Sequence, residues 1–121
     1  MRVVISGIGL VSPAGVGKVC FEEAVFDGRS GIGPSSRFPH SGFTAAEVKN
    51  FDFASAFGDR RFRRSALVTR YGLAAVKESL EDAALLNSDY DANRAGLVVG
   101  VTHGAICMTC DFHTDLVREG P

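Results

Sequence analysis

The densest charge cluster in this sequence consists of Arg60, Arg61, Arg63 and Arg64, interrupted only by Phe62. Guanidinium groups form paired hydrogen bonds with carboxylate and phosphate, so such a cluster can bind an acidic partner. It can equally be a solvated helix face, balanced by Glu and Asp elsewhere. The cluster lacks a nucleic-acid-binding motif and interleaved stacking aromatics, and we therefore expect no nucleic-acid partner.

A second group of reactive side chains lies near the end of the sequence and comprises His103, Cys107, Cys110 and His113. Two thiols three positions apart at the start of a helix are typical of a redox dithiol, and all four side chains are zinc ligands by type. One short helix cannot easily arrange four ligands tetrahedrally, and the sequence offers no partner pair elsewhere. The simplest interpretation is that both cysteines are small buried packing residues. We expect no metal.

The glycines near the start match nucleotide-binding patterns only in part. Gly7–Ser12 supplies two glycines of a dinucleotide fingerprint, but the third position is Ser12 and Pro13 stands where the helix should begin. Gly28–Gly33 lacks the Gly-Lys-Ser/Thr ending of a phosphate loop. We expect no cofactor.

The elements that must position these residues follow from hydrophobic patterning. Apolar, β-branched runs over Arg2–Ile8 and Ala95–Val101 predict two strands buried on both faces. Helices are predicted over Lys18–Asp27, Ala66–Leu86 and Ile106–Arg118. Strands separated by helices favour parallel neighbours, and we predict an α/β fold with a mixed, mostly parallel sheet covered by helices.

Shorter elements are predicted between the first two of these helices. Gly28–Phe43 is rich in Gly, Ser and Pro and predicts a loop, and Ala46–Phe51 predicts a short edge strand. Phe53–Phe57 and Arg60–Arg64 predict short helical pieces.

Composition limits the class of protein. The 121 residues are 45% hydrophobic and 22% charged, with a formal net charge of −1, as in one folded domain or part of one. Val3–Val11 is too short to span a membrane, and Ser6, Gly7 and Gly9 interrupt it as a signal peptide. The odd number of cysteines, three, makes no disulfide framework. We expect a cytoplasmic protein that does not bind a membrane.

Five segments, in this order, carry a family resemblance: Met1–Gly15 (MRVVISGIGLVSPAG), Gly28–Pro34 (GRSGIGP), Glu47–Asp52 (EVKNFD), Arg64–Leu85 and Gly96–Ala105 (GLVVGVTHGA). Together they resemble the β-ketoacyl-acyl-carrier-protein synthases, the condensing enzymes of fatty-acid and polyketide assembly. The sequence departs from the family pattern in a shorter stretch before Glu47, in Ser65–Val68 at the start of the long helix, and in Ala105 where a glycine is usual.

The resemblance implies a thiolase-like fold of two similar halves, each a five-stranded mixed sheet covered by helices, usually paired as a homodimer. Residues 1–121 would form the N-terminal part of the first half. The intact enzyme would transfer an acyl group to a cysteine and condense it with malonyl-carrier protein, assisted by two histidines. Its implied partners are acyl carrier protein, acyl and malonyl thioesters, and a second copy or a complementary segment.

The resemblance also indicates roles for particular residues. Arg60, Arg63 and Arg64 match basic positions that dock the acidic carrier protein. His103 matches a residue of the acyl pocket, which a histidine would shorten or polarise, although a hydrogen-bonded turn histidine is an equal alternative. The family's nucleophilic cysteine and two histidines lie beyond position 121, so we assign no catalytic residue and expect this chain alone to be inactive.

Two other functions stay open at this point. The first is a non-catalytic module that holds the carrier protein through the arginine cluster. The second is a thiol or zinc protein that uses Cys107 and Cys110.

Overall fold

A computed structural model describes residues 2–62 and 64–120, with the backbone alone at positions 60 and 92. The helices are α1 (Lys18–Phe26), α2 (Phe53–Phe57), α3 (Leu67–Asp82) and α4 (Ile106–Glu119), with 3₁₀ turns over Arg60–Phe62 and Ala92–Arg94. The strands are β1 (Val11–Ser12), β2 (Gly15–Val16), β3 (Ile32–Pro34) and β4 (Thr44–Ala46).

Both strand pairs in the described part of the chain are antiparallel. In the β1–β2 hairpin Val11 pairs with Val16, and in the second pair Ile32 lies opposite Ala46. The structure therefore shows the α/β class, whereas the mostly parallel sheet predicted from the sequence is not formed by the described residues. The edge strand predicted over Ala46–Phe51 lies earlier, as β4, because it pairs with a strand inside the predicted loop.

The two apolar runs that predict buried strands are not in strands here. Arg2–Ile8 and Ala95–Val101 lie outside every assigned element, and Val3 and Val98 are 85% and 97% exposed. A strand is stabilised by hydrogen bonds to a neighbouring strand, and neither run has such a neighbour among the described residues. Their apolar side chains are therefore left in solvent.

Helix α3 is the longest element and packs against both α2 and β1. Its amphipathic pattern predicts a helix over Ala66–Leu86, but the structure ends it at Asp82. Ala84 adopts a left-handed φ of 56°, and the N–H groups of Ala84 and Leu85 donate to the carbonyls of Glu81 and Leu80 at 3.0 and 2.8 Å. These two bonds form a Schellman motif, which ends the helix although no glycine is present to favour it.

Candidate functional site

An aromatic cluster positions the arginine-rich segment against α3. Phe51 meets Tyr71 edge to face at 4.8 Å between ring centroids, Phe53 stacks on Phe57 at 5.2 Å, and Phe57 meets Phe62 at 5.6 Å. Phe53 is buried. Each aromatic pair contributes beyond its buried area by about 0.5–1.5 kcal/mol. The 3₁₀ turn that carries the arginines is therefore held to α2 and α3 by packed rings.

Helix α2 is fixed at both ends, which keeps the cluster in place. The Asp52 carboxylate caps its N-terminus by accepting from the Ala54 N–H at 3.0 Å and from the Ser55 hydroxyl at 2.6 Å. These hydrogen bonds, with the Ser55 hydroxyl foremost, lower the pKa of Asp52. At the other end the Lys77 ammonium donates to the Ala56 carbonyl at 3.2 Å. A capped helix tied to α3 gives the arginine turn a rigid base.

Arg61 is neutralised locally by Asp59. Its Nε and Nη2 atoms donate to Asp59 Oδ2 at 2.9 and 2.6 Å, and its backbone N–H donates to Oδ1 at 2.9 Å. The hydrogen bonds to Arg61 lower the pKa of the Asp59 carboxyl, and the same pairing raises the pKa of Arg61. The guanidinium also lies 5.9 Å from the centre of the Phe62 ring. This arginine is therefore poorly placed to bind an outside anion.

The structure describes the three arginines predicted to dock the carrier protein to different extents. Arg64 is exposed, and no carboxylate of the described residues lies within 4.0 Å of its guanidinium. Arg63 lies outside the described residues, and Arg60 is described by its backbone in the 3₁₀ turn. Arg61 and Arg64 are both exposed, and Arg64 is the one of these two without a carboxylate partner among the described residues.

Arg70 is a further cation near this surface that sequence reasoning missed. It lies on α3, and its Nε donates to the Ser65 carbonyl at 2.9 Å, so the guanidinium is held beside the segment that carries Arg64. Its place in the first turn of α3 gives a signal, because helical side chains tilt toward the N-terminus and so toward the segment before the helix.

An apolar hollow of about 510 Å³ lies between α3 and the run around Val98–Val101. Its wall from α3 includes Val68, Leu73 and Val76, and Gly104 and Ala105 complete it. His103 is exposed in the turn beside the hollow and is not one of the residues that line it. The structure thus places the predicted acyl-pocket residue at the edge of an apolar space.

The two cysteines of α4 are exposed, so the interpretation of them as buried packing residues is wrong. The reason is that no residue of α4 is buried in this structure. In residues 2–62 and 64–120, no group of three or more His, Cys, Asp and Glu side chains could hold a metal ion. His113, on the same helix, adds no third ligand to the two thiols in that range.

The early glycines have a structural role that accounts for their spacing. A Cβ built on Gly7 would lie 2.2 Å from the Ser79 carbonyl oxygen on α3, far inside van der Waals contact. Gly9 lies one step further along the same face of the extended segment. The glycines allow a backbone segment to pack directly on a helix, which is a different use from holding a phosphate.

None of the helices in the described ranges is long and apolar enough to cross a membrane. The chain is of the α/β class, with a basic surface that includes Arg64 and Arg70 near the start of α3 and an apolar hollow against the same helix. These features define an α/β protein whose longest helix borders both a cationic surface and an apolar hollow.

Comparison with known proteins identifies the family. The sequence model described as "Beta-ketoacyl synthase, N-terminal domain" matches residues 1–119, and the chain belongs to the β-ketoacyl synthase family. The resemblance inferred from the five sequence segments is thereby confirmed.

Curated relatives agree with this assignment. The chain is 32% identical over 123 residues to a "3-oxoacyl-[acyl-carrier-protein] synthase 2" of Vibrio harveyi, covering 99% of this chain and 30% of the relative. It is 32% identical over 123 residues, with the same coverage, to the protein of that name in Staphylococcus aureus strain N315. To the chloroplastic "3-oxoacyl-[acyl-carrier-protein] synthase I" of Hordeum vulgare it is 33% identical over 127 residues, covering 98% of this chain and 28% of the relative. The chain thus spans about a third of the length of these relatives.

Proposed function

We propose that residues 1–121 act as the N-terminal part of a β-ketoacyl-acyl-carrier-protein synthase domain. The whole enzyme would catalyse the decarboxylative condensation of an acyl thioester with malonyl-carrier protein in fatty-acid or polyketide synthesis. The observation that carries the proposal is the match of the family's N-terminal domain to residues 1–119, together with relatives that are synthases of this kind. A reducing cytoplasm suits three thiols that are all unpaired in the structure.

The finer fold is part of this proposal. We infer that the apolar runs 2–8 and 95–101 become neighbouring strands of a mostly parallel, five-stranded sheet once further strands pair with them. Support comes from their β-branched composition, their exposure in this structure, and their position against the same helix, α3. Burying such runs between strands would remove from water the apolar side chains that are now solvated.

Residues 1–121 are not expected to condense acyl groups by themselves. A condensing site needs a thiolate and donors that hold an oxyanion. Neither Cys20, Cys107 nor Cys110 forms a side-chain hydrogen bond to a histidine among the described residues, so no nucleophile–base pair is assembled. Purified 1–121 protein incubated with acyl- and malonyl-carrier protein should release no carbon dioxide above background, and measurable turnover would overturn this part.

The docking surface is the part of the function that this chain can carry alone. We propose that Arg60, Arg63 and Arg64 contact acidic side chains of the acyl carrier protein, with Arg70 as a further cation beside them. Arg64 supports the proposal because it is exposed with no carboxylate of the described residues nearby, whereas Arg61 is paired with Asp59. Electrostatic complementarity of this kind steers encounter and is weakened by salt.

A titration of acyl carrier protein onto the 1–121 protein tests the docking proposal. Replacing Arg64 with glutamine should weaken binding about tenfold, since a charge-assisted contact contributes about 1.4 kcal/mol or more. Arg118→Gln is the matched control, because it removes the same charge from an exposed position on α4. The double variant Asp59→Asn, Arg61→Gln leaves net charge unchanged and should bind normally.

The outcomes separate the proposals. Equal weakening by Arg64→Gln and Arg118→Gln would show that only net charge matters and would overturn the docking site. Binding without turnover fits both the synthase segment and a carrier-holding module. These two are distinguished by adding the remaining part of a relative's synthase as a second chain: only a synthase segment should restore condensation.

For His103 we propose a place at the mouth of the acyl pocket. The apolar hollow lined by Gly104 and Ala105, its two successors in the chain, supports this position. In a complete enzyme His103→Leu should shift product length toward longer acyl chains. An unchanged product distribution would favour the alternative of a simple turn histidine.

A further inference from the structure

The two thiols of α4 are the reactive groups that the proposed function leaves unused. Cys107 and Cys110 lie three residues apart at the start of a 14-residue helix, and both are exposed. Residues three apart on a helix lie on the same face, so the two sulfurs are neighbours. We propose that Cys107 and Cys110 form a reversible disulfide within the first turns of α4, making this helix start a thiol-modification site.

Helix geometry brings the two residues within bonding reach. The rise and radius of an α-helix place Cα atoms three residues apart at about 5 Å. That lies inside the range of roughly 4.4–6.8 Å found across disulfides. The Cβ atoms, roughly 5–6 Å apart on a helix, must approach to roughly 4 Å, which requires a local tightening of the turn.

The start of α4 is a place where such tightening is inexpensive. The Thr109 N–H donates to the Ala105 carbonyl at 3.2 Å, and no residue of α4 is buried. No side chain caps the helix, and Gly104, which precedes the N-cap residue Ala105, has a positive φ of 56°. An uncapped helix start that buries no side chain and lies close to a glycine can adjust without disturbing a packed core.

The surroundings leave room for a thiol reagent. Cys107 borders an open hollow of about 140 Å³ whose far wall is formed by Leu67 and Val68 at the start of α3. Thr114 donates its hydroxyl to the Cys110 carbonyl at 2.8 Å, so it contacts the backbone of Cys110 and not its sulfur. Both sulfurs are therefore accessible to a small disulfide from the solvent side.

The chemistry is a two-step thiol–disulfide exchange with a low-molecular-weight disulfide such as oxidised glutathione. The thiolate of one cysteine attacks that disulfide, forming a mixed disulfide and releasing one glutathione thiolate. The thiolate of the second cysteine then attacks the protein sulfur, forming the Cys107–Cys110 bond and releasing the second glutathione. Two protein thiols are oxidised and one glutathione disulfide is reduced, so electrons and protons balance.

The test is an equilibrium titration of the full 121-residue chain with mixtures of reduced and oxidised glutathione. A Cys20→Ala background removes the third thiol. Trypsin cuts at Arg94 and Arg118, so residues 95–118 are released as one peptide that contains both thiols. We expect the mass of this peptide to fall by that of two hydrogens when the disulfide forms. The ratio of oxidised to reduced glutathione at which this happens should not depend on the protein concentration.

A matched variant keeps the number of thiols and changes only their placement. Cys110→Ser combined with Phe112→Cys puts the second thiol five residues from Cys107, on a different face of α4. At a given glutathione ratio, the ratio of internal disulfide to dithiol should be about tenfold or more higher in the native pair than in this variant. The reason is that the effective concentration of one thiol at the other is higher in the native pair. Far-UV circular dichroism verifies that both proteins retain their helices.

Two results would overturn the inference. One is that the native pair yields mixed disulfides with glutathione on both cysteines and no internal bond. The other is that it yields only disulfide-linked dimers whose amount rises with protein concentration. Because the test concerns residues 104–110 alone, its failure would leave the docking and synthase proposals unaffected.

Discussion

Gly9 lies directly on the backbone of Ala75, so that a Cβ built on Gly9 would stand 1.9 Å from the Ala75 carbonyl oxygen and 2.7 Å from the Ser79 nitrogen. No rotamer change can relieve such a contact, since both atoms belong to the backbone of α3. Only glycine permits this approach between the N-terminal segment and the long helix.

Replacing Gly9 with alanine should therefore separate the segment from α3. Overpacking against rigid atoms destabilises by about 1–3 kcal/mol, and we expect a loss of that order in the free energy of unfolding, measured with urea. Gly33→Ala is the control, because a Cβ there meets nothing within 4 Å. Equal stability of the two variants would show that the contact is not formed in solution.

Glu78 should act as a remote cap for α1. Gly17 at the start of α1 has no side chain, and the Glu78 carboxylate accepts from the Lys18 N–H at 2.6 Å and the Leu10 N–H at 2.7 Å. Glu78→Ala removes both acceptors and should destabilise by about 1–3 kcal/mol. Glu81→Ala, which breaks only an exposed pair with Lys77, should change stability by less than about 0.5 kcal/mol.

Protonation of the Asp82 carboxylate should lower the free energy of unfolding in acid. Its hydrogen bond from the Lys18 ammonium, followed by one from the Ile8 N–H, lowers the pKa of Asp82 below its ordinary 3.8. The ionised form is thus favoured by folding, so its contribution is present above pH 3.8 and is lost as pH falls through the lowered value. Asp82→Asn should destabilise at neutral pH, with the difference from the native protein vanishing in acid.

The Lys18–Asp82 pair also predicts a loss of stability at high pH. The hydrogen bond to Asp82 raises the pKa of Lys18 above its ordinary 10.5, so the contribution is complete below that pH and is lost above it. Urea titrations across the pH range check both arms. An Asp89→Asn control, at an exposed carboxyl with no ion pair to the described residues, should run parallel to the native curve. A constant difference between Asp82→Asn and the native protein at all pH values would contradict the pairing.

Ala84→Gly should stabilise the protein. The left-handed φ of 56° at Ala84 strains an alanine by roughly 1 kcal/mol and suits glycine. The neighbouring Ala83, with a helical φ of −77°, provides the opposite control. Ala83→Gly should destabilise by about 0.5–1 kcal/mol. The two midpoints of thermal unfolding should move in opposite directions, and movement in the same direction would refute the Schellman geometry.

The solvated apolar runs should make the chain associate. Val3, Val4 and Ile5 are at least 75% exposed, and Val98 is 97% exposed. Contiguous apolar segments with unpaired backbone form intermolecular contacts. Sedimentation velocity should show a mass that rises with concentration, and Val98→Lys should reduce the rise more than Val19→Lys on α1. A single monomeric species at all concentrations would contradict this prediction.

The helices show how far local pattern can carry a prediction. Sequence periodicity placed α1 and α4 within one residue of their observed ends and placed α2 at its observed bounds. Helical hydrogen bonds join residues four apart, so neighbouring side chains decide them. The family segments are recognised by their residue types and their order, without reference to tertiary contacts, and they were enough to identify the family.

Other features depended on contacts between residues far apart in the chain. β3 pairs with β4 across a turn that composition did not reveal, and the runs at 2–8 and 95–101 were not in strands because the described residues offer no partner. Likewise, Asp59 pairs with Arg61 while Arg64 has no carboxylate partner among the described residues, a difference that residue type alone does not show.

The sequence by itself thus determined the family and the bounds of α1, α2 and α4 to within a residue, because these are recorded in neighbouring residues and in their order, whereas it placed the end of α3 four residues too late. The tertiary structure decided which glycines serve packing, which arginine is available to a partner, and which thiols are accessible. Those properties arise where segments distant in sequence, such as Gly9 and Ala75, come into contact.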